Sequence, residues 1–164
     1  MIVFAGDQHE DIDYAARVIE AATALGNSPV FFAGDGGIWR DLRWVTAVSD
    51  LACAANVQVF LVRGNHEDQE FVAEFALGSV NTLRPNVNFT ADGAVLTVDD
   101  VRIGVFGGGV SVDADHRTPG VDVFPGAELP SMAAVKLLEG TNVDVLVTHD
   151  APILPPSMNK TFGS

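Results

Sequence analysis

Leu61-Val62-Arg63-Gly64-Asn65-His66-Glu67-Asp68 is the stretch on which the reading of this chain turns. It closes an apolar run that begins at Val57. Val57, Val59, Phe60, Leu61 and Val62 are too short a run for a helix and rich in β-branched residues, so they predict a buried strand. Gly64 lets the backbone turn sharply where the strand ends. Asn65 and His66 then stand at a strand's carboxyl end, where open α/β sheets place their chemistry. An amide oxygen and an imidazole can together hold a metal and a proton. The other reading is a strand-to-helix turn in which both side chains are merely solvated.

Working outward, the same pattern recurs. Ile2 to Ala5 is a short apolar strand that runs into Gly6-Asp7-Gln8-His9-Glu10. Asp7 and His9 are two apart, so on an extended segment they point the same way. Tyr14, Val18, Ala21, Ala22 and Leu25 recur at helical spacing, and Gly26-Asn27 stops that helix. Val30 to Ala33 predicts a second strand, ending in Gly34-Asp35-Gly36-Gly37. Leu42, Val45, Val48, Leu51 and Ala52 mark a second helix, and a third is expected around Phe71, Phe75 and Ala76. This half alternates strand and helix, which predicts a parallel sheet.

The second half is different. Val87-Asn88-Phe89, Ala94 to Val98 and Val101 to Phe106 are short and β-rich, with Asp99-Asp100 as a hairpin turn, and predict antiparallel pairing. Gly107-Gly108-Gly109 opens a long polar loop reaching Pro125, of the kind that usually carries function. Met132 to Leu138 predicts a short helix. Val143 to Val147 predicts another buried strand, ending in Thr148-His149-Asp150. From Pro152 to Ser164 there is no periodicity. No linker divides the chain, so 1–164 reads as a single domain.

Composition bounds the function. The chain has 164 residues, 48% of them hydrophobic, which fits one domain with its own core. Its formal net charge is −13, a field that argues against duplex nucleic acid as a partner. The single Cys53 excludes an internal disulfide and fits a cytoplasmic location. It sits in an apolar helix, where burial by packing is expected. No apolar run approaches a membrane span, and Met1 to Ala5 is too short for a signal peptide.

Asp7 with His9, Asp35, Asn65 with His66, and His149 therefore stand on successive strand ends, which a parallel sheet would bring together. Carboxylate, imidazole and amide oxygen suit Mn, Fe, Zn or Mg rather than Cu(I). A bridging carboxylate would allow two divalent ions at ~3.5–4 Å, the separation that clamps an in-line displacement at phosphorus. Taken one at a time, the same residues can be polar caps of the following helices.

At these residues the chain resembles the calcineurin-like metallophosphoesterases. Gly6-Asp7-Gln8-His9 is similar to the family's first motif and Gly34-Asp35 to the start of its second. Gly64-Asn65-His66-Glu67 matches the third, and Thr148-His149-Asp150 resembles the fourth. The loop from Gly107 to Asp113, with Arg117-Thr118-Pro119-Gly120, resembles a bacterial and phage branch. The resemblance implies an α/β sandwich of two mixed sheets flanked by helices. It implies that Asp7 and His9 bind a first metal, that Asp35 bridges, and that Asn65 and His149 bind a second. His66 would lie outside the metal shell and protonate the leaving oxygen or stabilise charge on the phosphoryl group. Arg117, beside His116 in the loop, can fork onto a phosphate or pair with Asp113 or Asp115.

The chain departs from the family's pattern in three places. Glu10 replaces a glycine after the first motif. Ile38 stands where the second motif often has an aspartate. The family ordinarily adds a Gly-His-x-His motif on a further strand, whereas this sequence has four histidines and none after His149. The expectation is a sandwich short of its last strand or strands, with one imidazole missing from each metal. It would leave a sheet edge that a second copy or a partner chain can cover. By charge, the second site should be the weaker, since its donors are one shared carboxylate, an amide and an imidazole. Two activities remain in view: metal-dependent hydrolysis of a phosphoester, or a non-catalytic binding protein on the same scaffold. Trp39 and Trp44 are read as packing rather than as a substrate platform.

Overall fold

The computed structural model describes residues 1–111, 113–124 and 126–150. The tail read from Pro152 onward, and Val112 and Pro125 of the long loop, lie outside them. In chain order the elements are β1 (Val3–Ala5), α1 (Ile12–Ala24), β2 (Val30–Ala33), α2 (Arg43–Ala55), β3 (Val59–Val62), α3 (Gln69–Val72) and β4 (Val80–Arg84). They continue with β5 (Val87–Thr90), β6 (Val95–Val98), β7 (Val101–Phe106), a 3₁₀ turn at Ala114–His116, α4 (Met132–Leu138) and β8 (Val145–Thr148).

The strands form two mixed sheets, ordered β1-β2-β3-β5-β4 and β6-β7-β8. Alternation along each strand explains why the sheets stack. Val30, Phe32, Val59 and Leu61 face α1 and α2 with Ala15, Ile19, Val45 and Val48. Phe31 and Val62 point the other way and pack on Ile103, Val105 and Val147 of the second sheet. Phe31 and Phe60 stack at 4.7 Å between ring centroids within that layer. β2 and β3, inside the first sheet, are therefore buried on both faces, which is why they read as continuous apolar runs. Among the described residues β8 is a sheet edge, with Leu146 52% exposed.

Several expectations need correction. The second half is not uniformly antiparallel: β3 pairs β5 in parallel, and so does β7 with β8. β4, antiparallel to β5, was not foreseen, because it is a sheet edge whose residues are all exposed or half-buried and show no apolar alternation. The helix around Phe71 is a single turn, capped by the Asp68 carboxylate on the Phe71 amide at 2.9 Å. Phe71 and Phe75 nonetheless pack on each other, and Phe75 on Phe89. Of the expected stripe through Tyr14, Val18, Ala21, Ala22 and Leu25, Ala22 is buried and Val18 packs half-buried on the core, whereas Ala21 and Leu25 are exposed; Ala15 and Ile19 complete the buried face. Cys53 is exposed, contrary to its expected burial. The buried stripe of α2 runs through Val45, Val48, Ser49 and Ala52, and Cys53 lies about 100° past Ala52. The Asp99-Asp100 hairpin is present, with both residues at positive φ, as the tight two-residue turn requires.

Candidate metal centre

β1, β2, β3 and β8 deliver their carboxyl ends to one place. Asp7 and His9 do not converge by strand alternation, as the sequence suggested. β1 has ended, and Asp7, His9 and Glu10 all have positive φ, between 45° and 63°. This turn is pinned to the next strand end: the Asp7 amide donates to Gly34 O at 3.2 Å and the His9 amide to Asp35 O at 2.7 Å. Asp35 is itself left-handed, at φ 53°. A row of side-chain-bearing residues in this region is backbone strain, which concentrates at functional sites.

Asp35 is the hinge of the cluster. Its side chain is 4% exposed. Its Oδ1 accepts from the Asn65 and His66 amides, both at 3.0 Å, so the carboxylate is fixed before any ligand arrives. Its Oδ2 lies 3.7 Å from His9 Nε2, and Oδ1 lies 3.3 Å from His149 Nε2. The two oxygens of one carboxylate thus look toward two histidines on opposite sides. Two glycines permit this crowding. A Cβ on Gly64 would sit 2.1 Å from Asp35 Oδ1, and one on Gly34 would sit 2.2 Å from His149 Nδ1.

The hydrogen bonds settle how His149 and Asn65 are oriented. His149 Nδ1 lies 2.9 Å from Ala33 O, an acceptor only, so Nδ1 carries the proton. Glu128 is acceptor-only, so Ser111 donates to Glu128 Oε2 and must accept from Asn65 Nδ2, 2.9 Å away. Asn65 Oδ1 is thereby turned toward His149 Nε2, at 3.0 Å. In neutral His149 that nitrogen bears a lone pair facing two oxygens, Asn65 Oδ1 and Asp35 Oδ1. Three acceptors directed at one another repel unless a cation, or a second proton on His149, lies among them. The donor set therefore fits a divalent ion, which Asp35, Asn65 and His149 would hold. On the other side His9 Nε2 lies 2.8 Å from Asp7 Oδ1, and those side chains are 50% and 73% exposed. His66 lies here too: one ligand atom each of His9, Asp35 and His66 fall within 4.8 Å of one another, and the His9 and His66 rings meet edge to face at 4.9 Å. His66 thus stands beside two candidate ligands, within the group that could itself hold an ion.

Three residues without an assigned role in the sequence reading support the centre. Glu67, 1% exposed, accepts from the Gly36 amide at 2.9 Å and the Gly64 amide at 2.7 Å, clamping the β2 and β3 loops together. Burial, and secondarily the Asp35 charge, push its carboxyl up to about 8 against the pull of those amides. Its place in the third motif was its signal. Arg63, also buried, pairs with Asp92 at 2.7 Å and donates to the carbonyls of Ala127, Glu128 and Leu129. It moors the far end of the long loop beneath the site. Ser111 carries that anchorage to Asn65, as described above. Arg117 is neither solvated nor aimed alone at the cleft: its side chain is 9% exposed, 3.7 Å from Asp113, and donates to Ser111 Oγ at 2.9 Å.

The profile of the calcineurin-like phosphoesterases matches residues 1–164. This chain belongs to that family. A search of curated proteins gave no match. Membership accounts for the two mixed sheets and for the ligand-type residues gathered at their ends, and members of this family generally bind two divalent metals. No helix among the described residues is long and apolar enough to cross a membrane.

Proposed function

We propose that this family member hydrolyses a phosphoester in a metal-dependent reaction. The observation that carries the reading is Asp35, whose two oxygens face His9 and His149 across the site. Asp7, His9 and Asp35 form one ligand set, and Asp35, Asn65 and His149 the other. Divalent ions bound there would polarise the phosphoryl oxygens and activate water. The chain's own groups do the rest. Asp35, fixed by two amides, sets the spacing of the two sets. His149 keeps its proton on Nδ1 through Ala33 O and presents Nε2 to the site. His66, half-buried at the cleft, gives its proton to the leaving oxygen. Arg117 places positive charge beside Ser111 and Asn65, where it can offset a bound phosphate. Attack by water needs no covalent enzyme intermediate.

The test is turnover of an aryl phosphoester, with metal content measured on the same sample. Activity should vanish on chelation and return with Mn²⁺. No turnover with Mn²⁺, Fe²⁺, Zn²⁺ or Mg²⁺, at full metal occupancy, would sink the hydrolase reading in favour of a non-catalytic binding protein.

A further inference from the structure

A small cleft of about 180 Å³ opens directly on the candidate centre, lined by His9, Glu10, Asp35, Gly37, Trp39 and His66. Three of those six residues carry flat rings. Two of the rings, His9 and His66, belong to the site already described. The third, Trp39, is half-buried and has no part in the reaction proposed above. Its placement is built rather than incidental. Trp39 Nε1 donates to Glu10 Oε1 at 2.8 Å. Glu10 reaches it from a left-handed backbone, φ 61°, which disfavours any side chain there. Gly37 makes room: a Cβ at that position would lie 2.3 Å from Glu10 Cγ. A strained residue and a glycine are thus both used to bring one carboxylate to one indole at the mouth of the cleft.

We propose that Trp39, held by Glu10, is a specificity-determining wall that receives a flat unsaturated ring of the substrate close to its ester oxygen. This rests on the phosphoesterase reading of the same site. The physical basis is the preference of an indole face for an offset or edge-on aromatic partner over a saturated ring of the same size. Glu10 contributes negative charge at the rim, which disfavours a second anionic group there and leaves an uncharged ring as the better guest.

The experiment uses two non-hydrolysable probes of similar size, phenylphosphonate and cyclohexylphosphonate, titrated calorimetrically into Mn²⁺-loaded protein. The expected result is tighter binding of the phenyl compound, by roughly 2- to 13-fold, the worth of one aromatic pair beyond its area burial. Trp39→Ala should remove the preference and Trp39→Phe should keep most of it. Glu10→Ala should reduce the preference, since the indole loses its tether. Equal affinity for the two probes, failure of both to bind, or a preference that survives Trp39→Ala would each overturn the proposal. Turnover of an aryl ester by the unaltered protein reads the phosphoesterase function separately. Turnover without ring preference defeats only this inference, and ring preference without turnover defeats the hydrolase reading and leaves Trp39 as the wall of a binding cleft rather than of a substrate site.

Discussion

The two sides of the candidate centre are built differently. On the His149 side the donors are enclosed. His149 and Asp35 side chains are 13% and 4% exposed, and a run of hydrogen bonds leads from Asn65 through Ser111 to Glu128 and the long loop. On the His9 side the donors are open to solvent and held mainly by a strained turn and by each other. Charge alone ranks the His9 side as the stronger binder, with two carboxylates. Preorganisation ranks them in reverse, because the His149 side loses little freedom when it takes an ion. The lesson is that ligand type, which a sequence displays, and ligand freedom, which it does not, can favour opposite sites.

The largest effect should come from breaking what the two sides share. Asp35→Asn keeps one oxygen as an acceptor for the Asn65 and His66 amides but removes the negative charge and replaces the second ligand oxygen with an NH2. Changes that merely touch a ligand's hydrogen-bond partner cost ~10–100-fold in metal affinity, so loss of the bridging charge should exceed ~100-fold at both sides. Elemental analysis after dialysis would reveal it, and unchanged metal content would remove Asp35 from the centre.

Next in size is His66→Ala. Turnover should fall by ~10²–10⁴-fold while metal content holds, and the loss should shrink for esters with very acidic leaving groups. Loss of metal from this variant would instead make His66 a ligand, consistent with its closeness to His9 and Asp35.

Ser111→Ala sharpens the comparison itself. It frees the Asn65 amide without touching any proposed ligand, so affinity should drop by ~10–100-fold on the His149 side alone. A two-phase Mn²⁺ titration should show one phase weakened and the other intact. Equal weakening of both phases would mean that preorganisation does not distinguish the sides. The smallest effect is expected at Cys53, which is exposed and away from both sides. Cys53→Ser should change unfolding free energy by no more than about 0.5 kcal/mol in a denaturant titration.

Much of the architecture was legible in the sequence because β2, β3 and β5 are buried, and each loop after β1, β2 and β3 announces itself with glycine and a polar ligand. That these polar side chains gather at one place was legible for the same reason. Asp7 and His9 were placed together for the wrong geometric reason, since a turn of left-handed residues, not a pleat, brings them round. Ser111, Glu128 and Arg63 were beyond reach, because their roles come from contacts between the long loop and β3 that no local pattern encodes. β4 and the exposure of Cys53 failed where one residue's step around a helix, or an edge position in a sheet, decides burial.

The alternation of Phe31 and Phe32 carries a consequence for how such a molecule can vary. The two neighbours belong to different compartments, Phe31 between the sheets and Phe32 against the helices. One residue inserted into β2 would exchange them, place each ring in a space shaped for the other, and turn Asp35 away from His9 and His149. One residue inserted after Gly120, where the chain runs exposed, would disturb neither. Change in length is therefore tolerated in the loop whose Ser111 braces Asn65, while the frame of the strands is kept as the fixed ruler of the site.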